Sequence, residues 1–168
     1  LTFDDGPDYR WTPQILKILA RYHIKAAFFM VGLQVEANLP IVKQVYEQGH
    51  IIGNHTFTHR NVANNTPQRT AVELELTRLL IECITGHSTV LFRPPYNADS
   101  EPTTMEEILP IVWARQHNYI TVGESIDPED WEEGIKADQI FNRVVYQVTH
   151  STGHIILLHD AGGTTRIE

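Results

Sequence analysis

Ala26-Ala27-Phe28-Phe29-Met30-Val31 is an unbroken apolar run, stopped by Gly32. A strand with one wet face alternates polar and apolar residues, so a run with no polar member is buried on both faces. Parallel sheets covered by helices bury their strands in this way. Upstream, Thr12 followed by Pro13 reads as an N-cap with proline at the first helical position. Ile15, Ile18, Leu19 and Tyr22 then recur at i, i+3, i+4 and i+7, which predicts an amphipathic helix. Leu1-Thr2-Phe3 reads as the tail of an earlier strand whose start is missing.

The same alternation continues downstream. A helix is expected from near Pro40 to Gly49, then a short strand at Ile51-Ile52-Gly53-Asn54. Thr66-Pro67 repeats the cap signal, and Val72, Leu76, Leu79, Leu80 and Cys83 give the expected buried face of a helix closed by Gly86. On that reading Cys83 is a small core residue. Val90-Leu91-Phe92 is a strand, Asn97 to Thr104 a polar loop, and Met105 to His117 a helix that Pro110 should kink or interrupt. Tyr119 to Val122 is a strand, Ile140, Val144, Val145 and Val148 mark a further helix, and Ile155-Ile156-Leu157-Leu158 is a buried strand. Strand alternating with helix predicts an α/β fold with a mostly parallel sheet. Six short strands, counting the stub at residue 1, favour a barrel-like sheet over a short open one.

At 168 residues the chain fits one domain, residues 1–168, with no internal repeat or linker. Its net charge of −8 argues against a nucleic-acid or anionic-membrane surface. No apolar run reaches the length of a membrane span. One cysteine excludes an internal disulfide. The chain begins in mid-element without an initiator Met and stops at Ile167-Glu168, where another helix should begin, so it reads as an excised domain. The missing signal peptide therefore says little about targeting.

Charged and histidine residues gather after the strands. Asp4-Asp5, His55, Arg93 and His159 each follow a strand directly, and Asp130 lies in the loop after Tyr119–Val122. In parallel α/β barrels the loops at the carboxyl ends of the strands converge on one face. Adjacent anions such as Asp4 and Asp5 need a cation or proton beside them. His55-Thr56-Phe57-Thr58-His59 puts two imidazoles at i and i+4, on one face of a helical turn and within reach of one metal ion. Alone, H-x-x-x-H is more often a pair of exposed loop histidines. With a carboxylate such as Asp5 it becomes a three-ligand set that leaves room for water, the arrangement of a catalytic zinc site.

Arg93-Pro94-Pro95-Tyr96 is a stiff segment, either a structural loop or the support of an arginine that keeps Asp4 ionised as a base. Asp127-Pro128-Glu129-Asp130-Trp131 is either an acidic turn or a corner that holds a sugar or acyl group. His159 is either a satisfied core histidine or a general acid at the site mouth. His23, His50, His87, His117, His150 and His154 read as surface or capping residues.

In this order the segments Thr2–Pro7, 55–59, 93–96, 127–131 and Leu157-Leu158-His159 resemble the motifs of polysaccharide deacetylases of the NodB-homology type, carbohydrate esterase family four. The resemblance implies a distorted (β/α) barrel with fewer than eight parallel strands, here truncated at both ends. It makes Asp5, His55 and His59 the ligands of a divalent metal, usually zinc. It makes Asp4 the catalytic base tuned by Arg93, and His159 the general acid paired with Asp130. The Tyr96 backbone N–H becomes an oxyanion donor, and Trp131 and Leu157 wall the acetyl pocket.

The implied activity is metal-dependent removal of N-acetyl groups from a chitin-like or peptidoglycan-like N-acetylglucosamine glycan, releasing acetate. An O-acetyl esterase such as acetylxylan esterase, or a non-catalytic carbohydrate-binding domain, is the alternative. The implied partner is an N-acetylated glycan, the implied location extracytoplasmic or at the cell envelope, and fusion to further domains in a longer parent is compatible with it. Two departures stand out. Asn97 replaces a common glycine, and Ala98 to Thr104 is longer and more acidic than usual, which would suit a cationic, partly deacetylated polymer.

Overall fold

The computed structural model describes residues 1–97 and 104–161. Six parallel strands, β1 (Thr2–Asp4), β2 (Ala27–Met30), β3 (Ile51–Asn54), β4 (Leu91–Phe92), β5 (Ile120–Thr121) and β6 (Leu157–His159), pair in the order β5-β4-β3-β2-β1-β6. Between them run α1 (Thr12–Arg21), α2 (Gly32–Ala37), α3 (Leu39–Glu47), α4 (Pro67–Thr85), α5 (Met105–Gln116) and α6 (Ala137–His150). The ladder is open, but its edges nearly meet. Val122 N–H still bonds the Phe92 carbonyl beside β4, and within four residues Ser125 and Ile126 N–H bond the Ile155 carbonyl beside β6. The expected barrel-like closure is therefore not formed: the six parallel strands make an open α/β sheet, and a stretch of loop rather than a further strand runs between its two edges.

Register sorts the two faces of the sheet. Phe3 pairs with Phe28 and Phe28 with Ile52, and all three join Leu16, Leu19, Met30, Val35, Val42, Val45 and Ile81 in the core under the helices. The alternate residues point inward. Asp4 stands level with His159 on one side and with Phe29 on the other, and Phe29 is level with Gly53. Gly53 is required there, because a Cβ would lie 2.4 Å from the Phe29 ring. Period-two alternation thus puts apolar residues outward on the helices and the chemistry inside, at the carboxyl ends of the strands.

Several sequence expectations need correction. Thr12 is not the cap of α1 but its first residue, the cap being Trp11. The Thr12 hydroxyl instead donates to buried Asp160 at 2.5 Å. Of the apolar stripe expected to bury α4, Leu80 packs against the core, but Val72, Leu76, Leu79 and Cys83 are exposed, while Thr70, Glu73, Leu74, Thr77 and Ile81 are buried. α6 has no buried residue: Ile140 and Val144 are half-covered, and Val145 and Val148 are exposed. α5 runs through Pro110 as one element, forgoing one hydrogen bond. His50 is buried rather than superficial, and its Nδ1 accepts the Ala26 N–H at the start of β2. The expected acidic loop lies largely, and the expected final helix entirely, outside the described residues.

Candidate active site

Arg93 organises the site. It follows β4, is 1% exposed, and lies over the Phe29 ring at 4.3 Å. Nη1 donates to Asp4 Oδ1 and to Thr2 Oγ1, both at 2.8 Å. Nε donates to the Val122 carbonyl and Nη2 to the Gly123 carbonyl, both at 3.0 Å. A buried guanidinium needs such a full set of acceptors. The set ties β1 and β4 to the stretch that spans the open edge. With Oδ1 of Asp4 held, Oδ2 lies 3.7 Å from His55 Nε2.

Asp5 follows with φ 76°, so its backbone turns left-handed directly after β1. An extended strand end would have sent the two carboxylates in opposite directions. The turn instead brings both to the same imidazole. His55 Nε2 is 3.5 Å and His59 Nε2 3.0 Å from Asp5 Oδ1. The H-x-x-x-H segment is not a helical turn either. It is a loop with Thr56 at φ 66° and His59 at φ 56°, and Thr56 Oγ1 accepts the His59 N–H.

Asp5, His55 and His59 form the one group of three metal-competent side chains at ligand distance among the described residues, their donor atoms lying within 4.8 Å of one another. Their chemistry fits a cation. Two ligands ~2.1 Å from a tetrahedral zinc stand roughly 3.4 Å apart, close to the separations found. Buried Asp5 Oδ1 has no partner in hydrogen-bond alignment, although His59 Nε2 is near. His55 Nδ1 is 2.7 Å from the Arg93 carbonyl, which can only accept, so Nδ1 carries the proton and Nε2 is left to ligate.

Electrostatics agree. Burial would raise the Asp5 carboxyl, but the adjacent imidazoles outweigh it and hold it far below the usual carboxylate range. Burial would lower His55, but Asp4 and Asp5 together raise it above its ordinary value. A cation held by these donors would displace that proton.

On the other side of the cavity, His159 Nδ1 is 2.6 Å from Asp130 Oδ1, and Oδ2 of the same carboxylate accepts the His159 backbone N–H at 2.9 Å. Asp130 thus fixes both the ring and the strand end that carries it. Its loop is held by α6, where Arg143 bonds Glu129, Glu132 and the Pro128 carbonyl and Gln147 bonds the Asp127 carbonyl. The cavity, about 450 Å³, is lined by Asp4, Asp5, His55, His59, Tyr96, Trp131, Leu157 and His159. Every side chain singled out in the sequence lines it except Arg93 and Asp130, which support liners from behind.

Residues 1–108 match the family model described as polysaccharide deacetylase. The chain belongs to that family. Across 163 residues it is 36% identical to a peptidoglycan-N-acetylglucosamine deacetylase of Bacillus cereus, covering 97% of this chain and 56% of the relative. A crystal structure of a peptidoglycan N-acetylglucosamine deacetylase superposes with a TM-score of 0.85 at 35% identity, over 98% of this chain and 73% of the other. A family 4 acetyl xylan esterase from Clostridium thermocellum, in complex with a cobalt ion, superposes with a TM-score of 0.80 at 30% identity, over 98% and 75%. This polysaccharide deacetylase chain thus spans about half the length of one such relative and about three quarters of the two solved structures.

Tyr96 and Trp131 stand at the cavity rim, 64% and 52% exposed, while Leu157 is buried at its base. Tyr96 has φ 64° after two prolines, and its ring lies 5.0 Å from that of His59.

Sequence reasoning missed Asp160. Buried beside Gly6, where a Cβ would meet its carboxylate at 2.3 Å, it bonds Thr12 through Oδ2, and among the described residues Oδ1 has no partner. Burial raises its carboxyl, the Thr12 hydroxyl partly offsets this, and the charges of Asp4 and Asp5 add to it, giving a value of about 7. The folded protein therefore holds this proton after the unfolded chain, titrating near 3.9, has lost it. The contribution is full below about pH 4 and disappears as pH rises towards 7. In metal-free protein, denaturation from pH 5 to 8 should cost the wild type about 3 kcal/mol relative to Asp160→Asn. Parallel stability curves would contradict this reading.

Proposed function

We propose that this domain is a metal-dependent N-deacetylase acting on N-acetylglucosamine units of a glycan chain and releasing acetate. One observation carries the reading: a three-donor cation set, a carboxylate and a carboxylate-paired imidazole all converge on one open cavity. A divalent cation held by Asp5, His55 and His59, zinc by its donor set, would supply Lewis-acid polarisation and acidify water there.

The chain's own groups do the rest. Asp4 Oδ2 accepts the proton of the attacking water, while Arg93 keeps Oδ1 fixed. The Tyr96 backbone N–H donates to the oxyanion that develops on the acetyl carbonyl oxygen as water adds to its carbon. His159, its Nδ1 committed to Asp130, donates through Nε2 to the departing sugar nitrogen. Leu157 and Trp131 flank the acetyl methyl, and the exposed faces of Tyr96 and Trp131 offer apolar platforms for sugar rings.

The paired imidazole supplies the proton that an amine needs in order to depart. The glycan named for the Bacillus cereus relative is a cell-wall polymer, which supports an extracytoplasmic location for this domain. Among the described residues no helix is long and apolar enough to cross a membrane.

The test is acetate release from chitooligosaccharide, peptidoglycan and acetylxylan by zinc-loaded protein. The N-acetylated glycans should react at least tenfold faster than acetylxylan. The reverse order would make the domain an O-acetyl esterase, and no release from any of them would make it a carbohydrate-binding domain.

A further inference from the structure

Glu73 lies on α4, yet its carboxylate is 1% exposed and faces away from solvent towards the histidine loop. Oε2 accepts the backbone N–H of Phe57 at 2.9 Å and of Thr58 at 2.7 Å. Oε1 accepts the Thr58 hydroxyl and Arg69 Nε, each at 2.8 Å, and Arg69 Nη2 lies 2.6 Å away. The carboxylate therefore takes donors from the two loop residues midway between His55 and His59.

That loop needs outside support. Thr56 and His59 both have positive φ without being glycine. Such backbone is costly, on the order of 1 kcal/mol or more per residue, and persists where the surroundings over-determine it. The other supports hold the loop's first half. Asn54 Oδ1 takes the Thr56 N–H, and the Thr56 and Phe57 carbonyls accept from Gly32 and Leu33 N–H at the start of α2. Past Phe57, Glu73 and the Thr56 hydroxyl are the anchors that turn the chain back so that His59 reaches Asp5.

We infer that Glu73 is a positioning residue for the metal ligands, the acceptor that sets the loop so both imidazoles meet Asp5. Burial raises the Glu73 carboxyl, but the Thr58 and Arg69 contacts outweigh it and keep it ionised, as a multiple acceptor must be. This inference rests on the metal-site reading above. Outer groups that orient ligands typically change metal affinity 10–100-fold when removed.

The experiment compares the zinc dissociation constant and the metal-free Tm of wild type, Glu73→Ala, Glu73→Gln and Ile81→Ala, using a chromophoric chelator as competitor. Ile81 is buried on the same helix two turns further on and serves as the packing control. Glu73→Ala should weaken zinc 10–100-fold. Glu73→Gln, whose carbonyl still takes the Phe57 and Thr58 N–H but whose amide cannot pair with Arg69, should weaken it three- to thirtyfold. Ile81→Ala should lower Tm at least as far as Glu73→Ala yet bind zinc within threefold of wild type.

Glu73 variants that bind zinc as wild type does, or an Ile81→Ala loss as large as theirs, would overturn the inference while leaving the metal site standing. If Glu73→Ala does not fold, Glu73→Gln decides. A wild type that binds no zinc would overturn both.

Discussion

Replacing Asp4 with Asn should lower kcat for acetate release by 10²–10⁴-fold while zinc affinity stays within tenfold of wild type. The range is that of a positioned general base. Asn keeps the shape and an acceptor for Arg93 Nη1 at the position where Asp4 Oδ1 now stands, 2.8 Å away. What it removes is the second oxygen able to take a proton, 3.7 Å from His55 Nε2. It also leaves a buried guanidinium without its anion, a change worth about 3–5 kcal/mol when the site cannot compensate. Thr2 and the Val122 and Gly123 carbonyls remain as acceptors, so a Tm drop with a folded protein is expected. Rate and zinc affinity must therefore be measured on the same preparation well below that Tm. More than a tenth of wild-type kcat in the variant would remove Asp4 from the role of base.

Replacing His55 with Ala should act through the metal instead. If the 10–16 kcal/mol of a four-ligand zinc site is shared about equally, one ligand is worth roughly 3 kcal/mol, or 10²–10³-fold in affinity. His55 is the most committed of the three proposed ligands: it is buried, its Nδ1 is held by the Arg93 carbonyl, and its Nε2 faces both carboxylates. Chelator competition should show the weakened binding, and acetate release should be lost at zinc concentrations that saturate the wild type. The two variants separate the adjacent acids' partners, since Asp4→Asn keeps the metal and loses the rate, whereas His55→Ala loses the rate because it loses the metal.

How far the sequence told this in advance depends on what kind of burial each residue has. Apolar runs such as 26–31 marked the strands because parallel strands bury both faces, and residues placed after strands marked the site. Burial by polar contact leaves no such pattern. The buried residues of α4 are Thr70, Glu73, Leu74, Thr77 and Ile81, among which Glu73 bonds the histidine loop and Ile81 joins the core, so most of the apolar stripe pointed to the exposed side. Thr12 read as a cap because Thr before Pro is a capping pair, whereas its hydroxyl is taken by Asp160, 148 residues away. The i, i+4 histidines suggested a helix, but left-handed residues at Thr56 and His59 achieve the same proximity through bonds to Asn54, Thr56 Oγ1 and Glu73. The turn that brings Asp4 and Asp5 to one imidazole has no sequence signal either, since Asp5 takes a left-handed φ of 76° without being glycine. α6 carries an apolar stripe that the described residues cover only in part, and periodicity alone does not say what lies against a helix.

The central claim is that one cation at Asp5, His55 and His59 makes this cavity hydrolytic. Its most direct test strips the wild-type protein with a chelator, removes the chelator and titrates zinc back while acetate release from chitooligosaccharide is followed. Stripped protein should release no acetate, and recovery should saturate at one equivalent of zinc. Undiminished release from fully stripped protein would contradict it.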